Sequence, residues 1–137
     1  MSINYTAVLV ASVVEFAVGA IWYMPLFGNL WGKIHGFAKM TKKEQAEARK
    51  GMAPLMVTQF VGTIITTFVL AKFITMLPGY SVYKLAVMAW AGFVVPTQVA
   101  AVIFGGTDKQ WMVTKTLIMA SGSLVCLLAA AAVLKAL

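Results

Sequence analysis

The sequence predicts an all-α polytopic membrane protein with four transmembrane helices, and three observations predict it. Apolar residues fill 61% of the 137 positions and charged residues only 11%, against roughly 45–50% and about 25% in soluble domains. The mean hydropathy is +0.89. The apolar residues also gather into four runs of about 20, the length that crosses a bilayer core as a helix. Four Asp/Glu and eleven Lys/Arg cannot coat a soluble globule of this size. Composition therefore excludes a soluble enzyme, a disordered tail and a nucleic-acid module, in spite of a net charge of +7. One cysteine and one histidine leave no disulfide framework or zinc cluster and little for His-based catalysis. No metal and no cofactor is expected.

The chain reads as a single transmembrane domain over residues 1–137. The first span covers 3–24, has Glu15 as its one charge and ends at Pro25. It lacks a basic leader and carries a carboxylate mid-span, so a retained segment is expected rather than a cleavable signal. The second span covers 54–77 and stops at Pro78-Gly79, a turn dipeptide. The third covers 82–104 and is interrupted by Pro96, which should bend it and free a carbonyl near Gly92. After the polar turn Gly105-Gly106-Thr107-Asp108, the fourth covers 111–134.

Lys/Arg asymmetry sets the expected orientation. Lys33, Lys39, Lys42, Lys43, Arg49 and Lys50 lie in the loop 25–53, and the third turn adds Lys109 and Lys115. The opposite side has Lys72, Lys84 and Lys135. Both loops of the first group are thus expected in the cytoplasm, with both termini outside (N-out/C-out). Within the loop, Phe27, Trp31 and Phe37 alternate with Gly28, Gly32 and Gly36, which suits the headgroup layer. Thr41-Lys42-Lys43-Glu44 matches a capping box and predicts a short basic cytoplasmic helix over Lys42–Lys50, closed by Gly51. Such a helix is a topology determinant and a possible contact for anionic lipid headgroups.

In lipid, helix faces that meet are marked by small and polar residues. Ala7, Ala11, Glu15, Gly19 and Tyr23 recur every four residues and share one face of the first span. Thr58, Gly62 and Thr66 do so in the second, Gly92, Pro96 and Ala100 in the third, and Gly122, Cys126 and Ala130 in the fourth. Ala7, Ala11, Gly19, Gly62, Gly92 and Gly122 are the expected helix-packing positions. A rise of ~1.5 Å per residue puts Glu15 roughly 14 Å deep, with Gln59, Gln98 and Lys115 at roughly 5–10 Å from the same side. Glu15, Gln59, Thr97, Gln98 and Lys115 therefore form a candidate intramembrane polar cluster. Two states of Glu15 stay open: protonated and bonded to Gln59, Thr97 or Gln98, or ionised and paired with Lys115. An ionisable group inside a span is by default a functional-site hypothesis. Trp22, Tyr23, Trp31, Tyr83 and Trp111 fall near span ends as belt residues, whereas Trp90 lies deeper and should pack between helices.

The first and third spans share a loose pattern: Pro25, Phe27-Gly28 and Trp31 in one, Pro96, Phe104-Gly105 and Trp111 in the other. A parallel two-plus-two repeat is geometrically allowed. Gly19-Ala20-Ile21-Trp22-Tyr23-Met24-Pro25 resembles the Gly-x-x-Trp-Tyr-x-Pro signature of a bacterial four-helix membrane family of unknown function. Trp90-Ala91-Gly92-Phe93 and the Thr/Glu-rich first loop are similar to it too, so the resemblance covers nearly the whole chain. Members often have a small residue where Met24 stands. The resemblance implies four spans and a bacterial cytoplasmic (inner) membrane, and implies no activity.

No Ser/His, Cys/His or paired-carboxylate constellation is present, so an enzyme is not expected. Two functions remain: a self-associating or accessory, structural subunit that docks to itself or to a larger membrane complex, or a small homo-oligomeric channel or carrier-like protein that uses Glu15. The first needs fewer special features.

Overall fold

The computed structural model describes residues 3–137, and among them every regular element is helical. Helix α1 (Tyr5–Ile21) starts at Asn4, whose side chain accepts from the Ala7 amide at 3.1 Å. It runs into a π-helical turn, Trp22–Leu26, that contains Pro25. Then come α2 (Gly28–Ile34), a 3₁₀ turn (Phe37–Lys39) and α3 (Lys42–Lys50). Helix α4 (Met52–Met76) is unbroken. The third span is α5 (Val82–Ala89), a π turn (Trp90–Val94) and α6 (Val95–Phe104). A 3₁₀ turn (Lys109–Trp111) leads into α7 (Met112–Ala136). Four segments are long and apolar enough to cross a membrane: Tyr5–Leu26, Met52–Met76, Val82–Phe104 and Lys109–Ala136.

Helix α7 is the common neighbour. It packs along α1, along α5 and α6, and more loosely on α4, while α1 also packs on α4. The core is small: Ala11, Leu70, Ala86, Leu127, Ala130 and Ala131, with Trp90 and Val94 against it. Alanines at 0% exposure (Ala11 on α1, Ala130 and Ala131 on α7) bring backbones close, which is how helices associate in lipid.

The segment between α1 and α4 folds on itself. Thr41 caps α3 by accepting from the Glu44 amide at 3.2 Å, which is one half of the expected capping box. The Gln45 side chain donates back to the Phe37 carbonyl at 3.0 Å, and Arg49 lies 5.6 Å from the Phe37 ring centre. Helix α2 is an element that the aromatic–glycine alternation did not reveal. Phe27, Trp31 and His35 are four apart, so the same residues also make a helical face. Rings pack edge-on or tilted along it, with centroids 4.8 Å apart from Tyr23 to Trp31 and 4.4 Å from Trp31 to His35. Gly36, at φ 72°, ends the helix in the left-handed conformation that glycine adopts without strain. At the far end, Lys84 covers Tyr80 and Lys135 covers Tyr83, each at under 6 Å, with long stems along the apolar surface.

Gly122 is where this packing has least slack. A Cβ there would fall 2.6 Å from the Trp22 ring, whereas at Gly62 it would meet nothing within 4 Å. Gly122→Ala should lower the melting temperature in mild detergent by the equivalent of about 1–3 kcal/mol, the usual cost of overpacking. Gly62→Ala should leave it unchanged or raise it, since alanine favours helix by about 1 kcal/mol over glycine.

Candidate functional site

Glu15 is on the α1 face that also carries Ala7 and Ala11, and all three are buried. Ten residues from Tyr5, it is roughly 15 Å from that end of the span at ~1.5 Å per residue. The Thr67 hydroxyl of α4 donates to Glu15 Oε2 at 2.7 Å and lies equally close to the Thr63 carbonyl of its own helix. A hydroxyl has one proton for these two acceptors. A neutral Glu15 could itself donate to Thr67 and leave the backbone bond intact, whereas an ionised one must draw the Thr67 proton toward itself.

The expected partners of Glu15 lie elsewhere. Lys115 is at the α2 end, with Nζ 3.5 Å from the Thr107 hydroxyl and 5.7 Å from the Trp31 ring centre. Its flexible stem reaches the interface, so no Glu15–Lys115 pair forms. Thr97 is exposed and donates to the Phe93 carbonyl of its own helix at 2.8 Å. Gln98 faces α7, with its amide 3.4 Å from the Met119 carbonyl and its carbonyl oxygen accepting from Ser123 at 3.3 Å. Of the five, only Gln59 shares a space with Glu15. Thr67, which flanks the Thr58–Gly62–Thr66 stripe, was not expected as the partner of Glu15 because threonine so often bonds its own helix.

That space is a cleft of about 240 Å³ between α1, α4 and α7, with Glu15, Gln59 and Cys126 in its walls and Trp31 of α2 at its outer end. Tyr23, Met24, Met52 and Met56 also line a second hollow of about 580 Å³ that reaches Phe37 and Arg49. The two hollows share these four residues, so the space beside Glu15 and the space beside Arg49 are neighbours, with aromatic and thioether groups between them. Gly19 helps to shape the wall, with Cys126 Sγ 3.7 Å from where its Cβ would be.

Two tryptophans grip α7. Trp22 Nε1 donates to the Ile118 carbonyl at 3.0 Å, so this indole turns inward rather than joining an interfacial belt. Gly122, one turn along, leaves the room for it. Trp90 Nε1 donates to the Ala120 carbonyl at 2.7 Å and lies 3.2 Å from the Ser123 hydroxyl. Each of these residues opens a π turn. The Phe27 amide bonds the Trp22 carbonyl and the Val95 amide the Trp90 carbonyl, each across five residues. The bend expected at Pro96 thus takes the form of a π turn before the proline, matched by another around Pro25.

Gly62 and Gly92 are not packing positions within this bundle. Both are exposed, as are Thr58, Thr66, Pro96 and Ala100 on their stripes. The inward face of α4 is the neighbouring row, Thr63, Thr67, Leu70 and Ala71. Adjacent helix positions differ by about 100°, and both rows are rich in small or hydroxyl residues, so composition did not tell them apart. Between α4 and the third span an apolar gap of about 310 Å³, lined by Thr66, Val69, Phe93 and Val94 among others, opens to the outside. Among the described residues, no group of three or more His, Cys, Asp or Glu could hold a metal ion.

Four apolar spans, a dry alanine seam and a mid-span carboxylate with one interhelical partner define a small polytopic helical membrane protein. The chain belongs to the family described as "Protein of unknown function (DUF1761)", whose model matches residues 6–135. No curated protein and no solved structure matches it.

Thr67→Val keeps the shape and removes the hydroxyl that ties α4 to α1. It should cost about 1–2 kcal/mol, the upper range for hydrogen bonds between membrane helices. Thermal unfolding in detergent checks this. Thr58→Val, which removes only a bond to the Pro54 carbonyl of the same helix, should leave stability nearly unchanged.

Proposed function

We propose that this protein is a self-associating or accessory subunit of a bacterial cytoplasmic membrane, with the α2–α3 end in the cytoplasm and both termini outside. One observation carries the reading. The small and hydroxyl residues of α4 and of the third span (Thr58, Gly62, Thr66; Gly92, Ala100) face outward beside an open apolar gap. Acyl chains gain nothing from a glycine–threonine face, whereas a second helix packs closely on it and fills the gap. The eight Lys/Arg of the loop 25–53 and the third turn, against three on the other side, support the orientation. They also favour contact with anionic headgroups, at about 1 kcal/mol per basic residue near the surface. The partner is a second copy of this chain or a larger membrane complex.

Mass measurement of the complex taken from native membranes into nanodiscs tests this. A fixed oligomer or a stoichiometric heteromer is expected. Gly62→Leu with Gly92→Leu should shift it toward the monomer while leaving the monomer's melting temperature intact, because neither glycine touches another helix within the chain. A monodisperse wild-type monomer in several mild detergents overturns the reading.

The cleft beside Glu15 favours a second reading, a small homo-oligomeric channel or carrier-like protein that uses this carboxylate. Glu15→Gln should abolish proton or cation flux in proteoliposomes, and unchanged flux would remove the carboxylate from any such path.

A further inference from the structure

The chain has four carboxylates, and Glu15 is the one that lies inside a span. Its single hydrogen-bond partner among the described residues is Thr67, on Oε2. Among the described residues no fully buried side-chain oxygen or nitrogen lacks a partner, so Oε1, which makes no hydrogen bond, keeps some exposure on a residue that lines the cleft. The same cleft is lined by the rings of Phe16, Tyr23 and Trp31 and the thioethers of Met52 and Met56. A ring face attracts a cation through its quadrupole, more strongly when the site is dry. A carboxylate in a low-dielectric span adds a Coulomb attraction that water would otherwise screen.

Other ligands fit this composition less well. A metal ion would need several oxygen donors, and beyond Glu15 the wall offers only the Gln59 amide and the Tyr23 hydroxyl. An anion would enter past Arg49 and then meet Glu15. The cleft that holds Glu15, about 240 Å³, lies just under the usual range of small-molecule sites, about 300–1,000 Å³, which limits its ligand to a small one. Arg49 and Lys115 stand at the outer end, over Phe37 and Trp31. They oppose positive charge at the mouth, so a bound cation has its charge at the Glu15 end and its apolar body toward Met52 and Met56.

We propose that the cleft binds one lipophilic organic monocation, an amine or quaternary ammonium with aryl or alkyl substituents, with its charge against Glu15 and its substituents between Phe16, Tyr23 and Trp31. Every wall belongs to one chain, so occupancy depends neither on self-association nor on solute movement. Measuring equilibrium binding rather than flux or mass keeps failure of this inference distinct from failure of either reading above.

The test is equilibrium dialysis of radiolabelled benzyltrimethylammonium against the full chain in nanodiscs of zwitterionic lipid, with empty nanodiscs subtracted. Saturable binding of one cation per chain is expected, with none for phenylacetate, an anion of similar size. Glu15→Gln should weaken binding by about tenfold or more and Trp31→Leu by about threefold, the scale of a lost charge pair and of a lost aromatic contact with the ligand's apolar substituent. If Glu15→Gln does not fold, the wild-type comparison of cation and anion decides alone. Absence of saturable cation binding, equal binding by Glu15→Gln, or preference for phenylacetate overturns the proposal.

Discussion

A helix that crosses hydrocarbon has no water to bond its main chain, so each proline in a span leaves a carbonyl the fold must accommodate. Pro25 and Pro96 impose that condition on the first and third spans. In both, the helix widens to a π turn whose opening residue is a tryptophan, and an amide five residues on closes the turn. The two indoles then donate to α7, at the carbonyls of Ile118 and Ala120. The defect and the brace therefore coincide: where each span is least regular, a large ring fastens it to the same neighbour. Position 122 must be glycine-sized for Trp22 to do so.

The three seams of the bundle differ in chemistry. Between α1 and α7 alanines meet, and the contact is close and dry. Between α1 and α4 the Glu15–Thr67 bond joins the helices near mid-span. Between α4 and the third span there is little contact and an open gap. Glu15 lies where the first two seams meet, so the residue that ties two helices also borders the cleft between three. The bond to Thr67 engages one carboxylate oxygen and leaves the other without a hydrogen bond among the described residues.

The four spans were legible because hydropathy over about 20 residues depends little on which side chain meets which. Helix α3 was legible as well, since Thr41 and Gly51 mark its ends through local bonds. The buried face of α1 showed because small residues and Glu15 stood alone among bulky ones. Other features depend on tertiary choice. Helix α4 has two adjacent rows rich in small and hydroxyl residues, and only the presence of α1 selects Thr63 and Thr67. Trp22 near a span end looked interfacial, and its inward turn requires a glycine exactly 100 positions away in the chain. The pairing Pro25/Pro96 was visible, but what the two spans share is the Trp-led π turn rather than the Phe-Gly and Trp that follow.

Helix α7 comes after the other three spans in the chain, and this bears on biogenesis. The Trp22–Ile118 bond joins residues 96 apart in sequence. During synthesis, which proceeds from the N-terminus, α1 enters the bilayer with its indole donor, its alanine seam and Glu15 all unmatched. Thr67 arrives with α4 and covers the carboxylate first. The indoles and the alanines must wait for α7. Until α7 is made, the close seam and both tryptophan braces are missing, so the bundle can complete its packing only once its last span is in place.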